Sequence, residues 1–444
     1  MKKAPIDLWL IDPLAGFLGR STTSGIVLFA AAFVALVMAN SPWADFYHDL
    51  WHHEFSIGYD DFLISNDLHH WINDGLMAVF FFVIGLELKR EIMAGELSNP
   101  RDAVLPIAAG IGGMVVPALV YLAFNPTGDQ NDGWGIPMAT DIAFALGIIY
   151  LLGNRVPLSL KIFLTALAIA DDLGAVLVIA FFYTSNIDFI SLAVGAGFMV
   201  VLIGSNLLGV RNVVWYAMLG IGGLWLAFLM SGVHATIAAV LAAFTIPANV
   251  KISDKGFMLR INALVARFER AKPNDVTLVT HEQLHILEEI RSLARKALTP
   301  LQRLEHRMHP FVAFFVMPVF ALANAGVTFP PDMFSHLASP VTLGVIFGLL
   351  VGKVAGIMGM CWLMIRLKWA TFPEFCGWRH LLGAALLASV GFTMSLFITE
   401  LAFKGQAEFI LQAKMGILIA SLTGGLAGYL LLKKLPVMKV ESGQ

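Results

Sequence analysis

Asp171 and Asp172 are neighbouring carboxylates in the middle of an apolar run, LSLKIFLTALAIADDLGAVLVIAFFYT, covering residues 158–184. A run of that length can cross a bilayer as one helix. One anionic side chain facing lipid at the centre of a spanning helix costs roughly 2.5–3.5 kcal/mol. Two would cost on the order of 5–7 kcal/mol. The pair is therefore expected to face a bundle interior or a wet cavity, where its chemistry is the binding of protons or cations. The plainer alternative is a structural pair satisfied by its neighbours, but acids inside a membrane span mark ion or proton paths by default. Successive residues on a helix point about 100° apart, so the two carboxylates do not clamp an ion from one side. One can face a cavity while the other faces a neighbouring helix.

Other polar features accompany the pair. Thr140 and Asp141 lie inside the apolar stretch PMATDIAFALG, and Lys353 lies inside FGLLVGKVAGIMG. The stretch Ser389-Val390-Gly391-Phe392-Thr393-Met394-Ser395 interrupts another, and His234 begins a further one. Lys353 is the one basic side chain near the middle of an apolar segment, and the acids at comparable depth are Asp141, Asp171 and Asp172. Such a set stays near neutral if protons are shared, and exchanges them more readily than isolated groups would. Hard cations such as Na⁺ favour oxygen ligands. Two carboxylates, the Thr140 hydroxyl and carbonyls freed by a broken helix would supply them. A proton and a cation competing for the same carboxylates would be exchanged, because loading one requires release of the other.

These residues need a scaffold of spanning helices. The chain has 444 residues, 58% hydrophobic and 14% charged, against about 25% charged in a soluble domain. Apolar runs of spanning length recur throughout, so the chain reads as an all-α polytopic membrane protein and one transporter domain over 1–444. Twelve spans are expected, at 24–41, 71–88, 104–124, 136–152, 158–184, 189–209, 213–230, 233–247, 310–327, 340–365, 380–403 and 414–432. The fourth and eighth are short or broken by glycine. Two interrupted helices meeting near the midplane leave like ends of their dipoles facing each other. A carboxylate such as Asp141 and an ammonium such as Lys353 would offset them. Ordinary glycine-rich packing is the alternative reading of the breaks.

Lys and Arg concentrate in alternate loops: Lys89, Arg90, Arg101, Arg155, Lys161, Arg211, Arg366, Lys368 and Arg379, with Lys433, Lys434 and Lys439 in the tail. Lys404 is the exception. This bias places both termini in the cytoplasm. Residues 6–18 read as a short interfacial segment, and no removable signal peptide is expected. The polar stretch 249–309 includes an extended cytoplasmic loop, 249–303, in which 276–298 carries helical apolar spacing. It predicts an amphipathic helix, lying on the membrane or acting as a tether. Outside, 54–65 reads as a β-hairpin around Gly58-Tyr59-Asp60-Asp61. His48, His52, His53, His69 and His70 crowd that loop without a zinc-like spacing. His234 is either a hydrogen-bonded structural residue or a contributor to pH response. A net charge of −2 gives no hint of nucleic acid. The two cysteines, Cys361 and Cys376, form neither a metal-ligand spacing nor a disulfide framework, and no cofactor is expected.

The stretches WINDGLMAVFFFVIGLELKRE (71–91), ATDIAFALG (139–147), ALAIADDLGAVLVIA (166–180), SGVHATIAA (231–239), LEHRMHP (304–310), FALANAGV (320–327), LLVGK (349–353) and GFTMSLFI (391–398) together resemble the NhaA family of bacterial Na⁺/H⁺ antiporters. The likeness covers nearly all the chain except 249–303. Inverted repeats with broken helices are a general pattern of secondary transporters, this family among them. The resemblance implies twelve spans with inverted three-helix repeats at spans three to five and ten to twelve, two discontinuous crossing helices, and a short periplasmic hairpin. It implies a multi-pass protein of the bacterial inner membrane, not an enzyme. Its activity would be electrogenic, pH-regulated exchange of Na⁺ or Li⁺ for more than one H⁺, serving Na⁺ and pH homeostasis. It implies Asp172 as the main cation ligand with Thr140 nearby, Asp171 as its partner paired with Lys353, and Asp141 as the compensating carboxylate at the crossing. It implies a pH-response cluster of Glu87, Arg90, Glu91, Glu305, His306 and His309, and a homodimer formed through 54–65. The loop before Glu305 is longer than in the family's familiar members.

Two readings from other classes compete. A Na⁺-coupled organic-solute carrier of similar fold would need a basic anchor for an anionic solute, and Lys353 alone is available. An intramembrane aspartyl protease needs two aspartates on separate helices sharing a proton. No Gly-x-Gly-Asp stretch is present, and Lys353 has no role in that chemistry.

Overall fold

A helical segment, whole or broken, stands at each of the twelve expected spans. A computed structural model describes residues 21–59, 62–184, 187–271, 278–329 and 333–436. The interfacial segment 6–18, the tail Lys439 and the hairpin tip Asp60-Asp61 lie outside them. Among the described residues, nine helices are long and apolar enough to cross a membrane: Leu68–Ala94, Pro100–Phe124, Asp129–Leu151, Leu158–Phe182, Phe189–Leu207, Val213–Ser231, Pro300–Asn324, Pro340–Arg366 and Ala407–Lys434. Two more spans are bent pairs. Thr23–Ala39 turns through 113° into Ala44–His52, and Trp378–Ala388 meets Phe392–Ala402 at 45°. The remaining one, Ala235–Thr245, is only 11 residues long. Several ends differ from expectation because polar residues extend the helices past the apolar core. Span nine begins at Pro300 rather than 310, carrying Glu305, His306 and His309 on its first turns.

Local sequence sets the helix starts. Asp188 accepts from the backbone N–H groups of Ile190 and Ser191 ahead of span six. Asn99 caps span three, with Pro100 at the first helical position. Thr299 and Gln302 form a capping box at the start of span nine. Large apolar side chains such as Phe33, Leu119, Phe181, Phe189 and Leu207 stand exposed on the outer faces of the spans, as lipid-facing residues would.

Spans three to five run long, broken, long. So do spans ten to twelve. Since span three has odd parity and span ten even, the two triplets cross in opposite directions. Within them, spans three and ten approach at backbone distance. A methyl group on Gly356 would collide with the carbonyl of Gly112, and one on Gly112 with the carbonyl of Gly356. Small residues permit this closeness, and it brings Lys353 into the centre of the bundle.

One end of the bundle carries the Lys- and Arg-rich loops and is called here the basic side. The other carries the hairpin, formed by β1 (Glu54–Tyr59) and β2 (Phe62–Asp67), with Glu54 opposite Asp67 and Tyr59 opposite Phe62. One continuous apolar cluster joins residues from spans one to five and eight to twelve, including Phe81, Tyr121, Ile179, Phe320 and Phe397. Toward the basic side the core divides. Spans three, four, five, ten, eleven and twelve share a cluster around Ile149, Leu164, Ile357, Ala384 and Ala385. Spans two, six, seven and eight share another around Leu86, Leu202, Leu224 and Ala243. The apolar core is thus one shared cluster and two separate ones.

The expected helix in 276–298 is present as His281–Ala297. A second one, Asp254–Arg270, packs against it and has no counterpart in the sequence expectation. Its apolar residues, Phe257, Ile261, Leu264 and Phe268, do follow helical spacing, but they are separated by arginines that mask the pattern.

Candidate functional site

The two breaks lie side by side. Residues Ala139–Asp141 leave helical geometry between Asp129–Met138 and Ile142–Leu151, and Ser389–Gly391 do so between Trp378–Ala388 and Phe392–Ala402. The Asp141 N–H donates to the Val390 carbonyl (2.7 Å), and the Thr140 hydroxyl to the Ala388 carbonyl (2.9 Å). The chain ends left open by one break are thus answered by groups from the other.

Asp141, fully buried, caps two helices at once. Its Oδ1 accepts from the Phe144 N–H (2.9 Å), and its Oδ2 accepts from the Thr393 N–H (3.1 Å) and hydroxyl (2.5 Å). Both half-helices therefore point their positive ends at one carboxylate. Lys353 stands at the opposite kind of end. Its Nζ donates to the Met138 carbonyl, the last of the preceding half-helix, and to Asp171 Oδ2 (2.7 Å). Lys353 follows a π-helical turn, Gly348–Gly352. Glycine there leaves room for span three, since a Cβ on Gly352 would press on Pro117.

The adjacent aspartates divide as the helix geometry requires. Asp171 Oδ2 receives both Lys353 and the Thr140 hydroxyl (2.7 Å). Asp172, fully buried beside it, has neither oxygen bonded among the described residues, and Asp171 Oδ1 is also unbonded there. Unmet buried carboxylate oxygens are costly. Three of them together make an oxygen-rich donor set of the kind a hard cation or a proton satisfies. Asp172 lies within electrostatic reach of Asp171, Asp141, Lys353 and Glu87.

Glu87 links this centre to a second cluster toward the basic side. Arg90, one turn on, pairs with Glu305 of span nine (2.6 Å) and with Glu91 (2.7 Å). Glu91 also accepts from the Glu96 N–H (3.0 Å). Glu305 lies near His306, and His309 lies near Arg90 and His306. The cluster joins the basic-side ends of spans two and nine. His234 is placed elsewhere: its Nε2 meets the Tyr183 carbonyl (2.9 Å) at the hairpin-side end of span five, away from both clusters.

Sequence reasoning passed over several partners. Thr393 lay in the noted break without a role. The Met138, Ala388 and Val390 carbonyls could not be singled out, because backbone groups carry no residue signature. A further network on the hairpin side joins Asn324 to Asn73 (2.9 Å) and His69 (3.1 Å), and Glu400 pairs with Lys414 (2.8 Å). The histidines of the outer loop are engaged separately, His52 with Asp67 (3.3 Å) and His53 with the Asp49 carbonyl (2.7 Å).

Spanning helices that break and cross beside buried carboxylates and a buried lysine define a secondary transporter of the broken-helix class, not an enzyme. The family model described as Na+/H+ antiporter 1 matches residues 15–432. The chain belongs to that family, the NhaA antiporters. A relative from Oleidesulfovibrio alaskensis, named Na(+)/H(+) antiporter NhaA, is 51% identical over 97% of this chain and 95% of its own length. One from Saccharophagus degradans, Na(+)/H(+) antiporter NhaA 1, is 50% identical over 98% and 94%. A solved structure of the sodium proton antiporter MjNhaP1 from Methanocaldococcus jannaschii aligns over 95% of this chain and 96% of that one, with TM-score 0.44 and 12% identity. That likeness is too slight to carry an argument.

Proposed function

We propose that this chain exchanges Na⁺ or Li⁺ for H⁺ across a bacterial inner membrane, with both termini in the cytoplasm and the basic side facing inward. The observation that carries the reading is the division of the aspartate pair. Asp172 keeps both buried oxygens free of hydrogen bonds among the described residues, while Asp171 is held by Lys353 and Thr140. Asp172 is the cation ligand, with the remaining Asp171 oxygen and Thr140 beside it. A cation arriving at Asp172 competes with Lys353 for Asp171, and its departure lets the ion pair re-form. Two carboxylates and one ammonium allow more than one H⁺ to move per cation, so exchange is electrogenic. Asp141 and Lys353 balance the helix ends at the crossing. Glu87, Arg90, Glu91, Glu305, His306 and His309 lie toward the basic side and adjust activity to pH. His234, remote from them, contributes to structure first. Two copies pair through the hairpin 54–65.

The test is exchange in inverted vesicles energised with a proton gradient. Added Na⁺ or Li⁺ should collapse the gradient in the absence of any organic solute, and K⁺ should not. The Asp172→Asn protein should insert normally and exchange nothing. No response to Na⁺ or Li⁺ at neutral or alkaline pH would reject the function. Wild-type exchange in Asp172→Asn would remove Asp172 from its role.

A further inference from the structure

The loop helices Asp254–Arg270 and His281–Ala297 form a small two-helix hairpin with its own core. Leu264, Ala271, Ile286 and Leu293 are buried there, and Ile261, Phe268 and Ile290 pack against them. Arg267 pairs with Glu289 across one edge of the helix pair (3.1 Å). At about 100° per residue, that edge leaves Met258 and Val265 of the first helix on the opposite side. The same reckoning puts Leu284 and Leu287 of the second helix on that side too. Met258, Val265, Leu284 and Leu287 are 55%, 44%, 44% and 41% exposed. One face of the hairpin is therefore apolar and uncovered, while the other is charged. Lys255, Arg291 and Arg295 border the apolar face, and the acids Glu269 and Glu288 fall beside it on the same reckoning, leaving the border basic by one charge. Basic side chains outnumber acidic ones in the two helices, seven to five.

The hairpin is moored close to the bilayer. The Lys251 N–H donates to the Lys296 carbonyl (3.1 Å), closing its base. The Leu301 N–H donates to the Pro247 carbonyl (3.2 Å), pinning the ends of spans eight and nine together just below. The link 246–251 reaches at most about 20 Å when extended, so the hairpin stays within a short distance of the leaflet. An apolar face with a basic border, tethered beside a lipid surface, has the make-up of an interfacial membrane-binding element.

We propose that this hairpin docks its Met258–Val265–Leu284–Leu287 face onto the anionic phospholipid surface of the leaflet on the basic side. It is a lipid-contact site separate from the transport centre. Its second helix runs through Leu298 into the capping box that starts span nine, so docking also fixes the approach to Glu305, His306 and His309.

The full-length protein, with Cys361→Ala and Cys376→Ser, is reconstituted one copy per nanodisc. A single environment-sensitive fluorophore is attached at Met258→Cys, Leu287→Cys or, on the charged face, Arg260→Cys. In discs containing phosphatidylglycerol, lipid-borne nitroxides should quench the first two labels several-fold more than the third, and aqueous iodide should do the reverse. In phosphatidylcholine discs, or at high salt, the difference should shrink. Equal quenching at all three positions would overturn the proposal. So would protection that ignores lipid charge, or protection that appears only when two copies share a disc. Adding Val265→Asp and Leu284→Asp should release the Leu287 label into water, and continued lipid quenching there would also overturn it.

Discussion

Asp141→Ala removes a carboxylate that serves two helix ends at once. The side chain accepts from the Phe144 N–H, the Thr393 N–H and the Thr393 hydroxyl, all in a fully buried setting. The hydroxyl can rotate to another acceptor, but the two backbone donors cannot. A hydrogen bond to a charged group is worth about 1.5–3 kcal/mol, so losing both N–H bonds costs roughly 3–6 kcal/mol. Asp141→Asn keeps one carbonyl oxygen for one of these donors and turns an amide toward the other. It should cost about half as much. For a chain of 444 residues, melting shifts by about 1–2 °C per kcal/mol, extrapolating the size trend. Alanine should then lower the melting temperature in detergent by roughly 3–12 °C, and asparagine by about half of that. Tryptophan fluorescence during a thermal ramp reads both. If the two variants melt together, or if alanine melts within a degree of wild type, Asp141 does not hold the crossing in the way described.

The buried ion pair should show strong non-additivity. Lys353→Gln leaves Asp171 buried with its ammonium gone, at a cost of about 3–5 kcal/mol, whereas Asp171→Asn with Lys353→Gln should recover most of that stability. Melting of both proteins decides it, and equal destabilisation would count against a direct pair. Gly356→Ala should overpack the contact with Gly112 by about 1–3 kcal/mol or more and cut the yield of folded protein. Gly359→Ala, with open space around it, should be silent. Arg90→Gln should shift the pH profile of exchange while leaving its maximal rate, because the ion pairs with Glu305 and Glu91 lie outside the carboxylate centre. An unchanged profile would take Arg90 out of pH control.

The centre of the site was legible in the sequence because charge inside an apolar run is conspicuous. Asp171, Asp172, Asp141 and Lys353 stood out for that reason alone, and the structure places all four together. Helix geometry required the pair to face different ways, but which of the two meets Lys353 came only from the resemblance. The lysine's second partner was not legible, since the Met138 carbonyl has no counterpart in side-chain chemistry. The cluster of Glu87, Arg90 and Glu305 was invisible to composition. Glu87, Arg90 and Glu305 sit near span ends, where charge is ordinary, and only the resemblance drew attention to them. His234 has the hydrogen-bonded setting that its structural reading expects. A histidine at a span end looks suggestive, yet a backbone carbonyl satisfies it. The helix Asp254–Arg270 was missed because its core-facing residues are interleaved with arginines of its exposed, charged side.

The contact between Gly112 and Gly356 has a mechanical meaning. Two helices whose backbones touch have no side chains between them to deform, so they turn as one piece. Spans three and ten carry, on the same welded unit, the helix that holds Lys353 and the neighbours of both breaks. Gly85 likewise leaves room for Val240 and Ala243, bringing spans two and eight close in the other unit. A rocking motion that moved the carboxylates from one side of the membrane to the other would leave both welds intact. It would have to part the shared cluster at Phe81, Phe320 and Phe397, the soft seam toward the hairpin side. Thr140, Asp171, Asp172 and Lys353 all stand on helices of the first unit, so such a motion would carry them together.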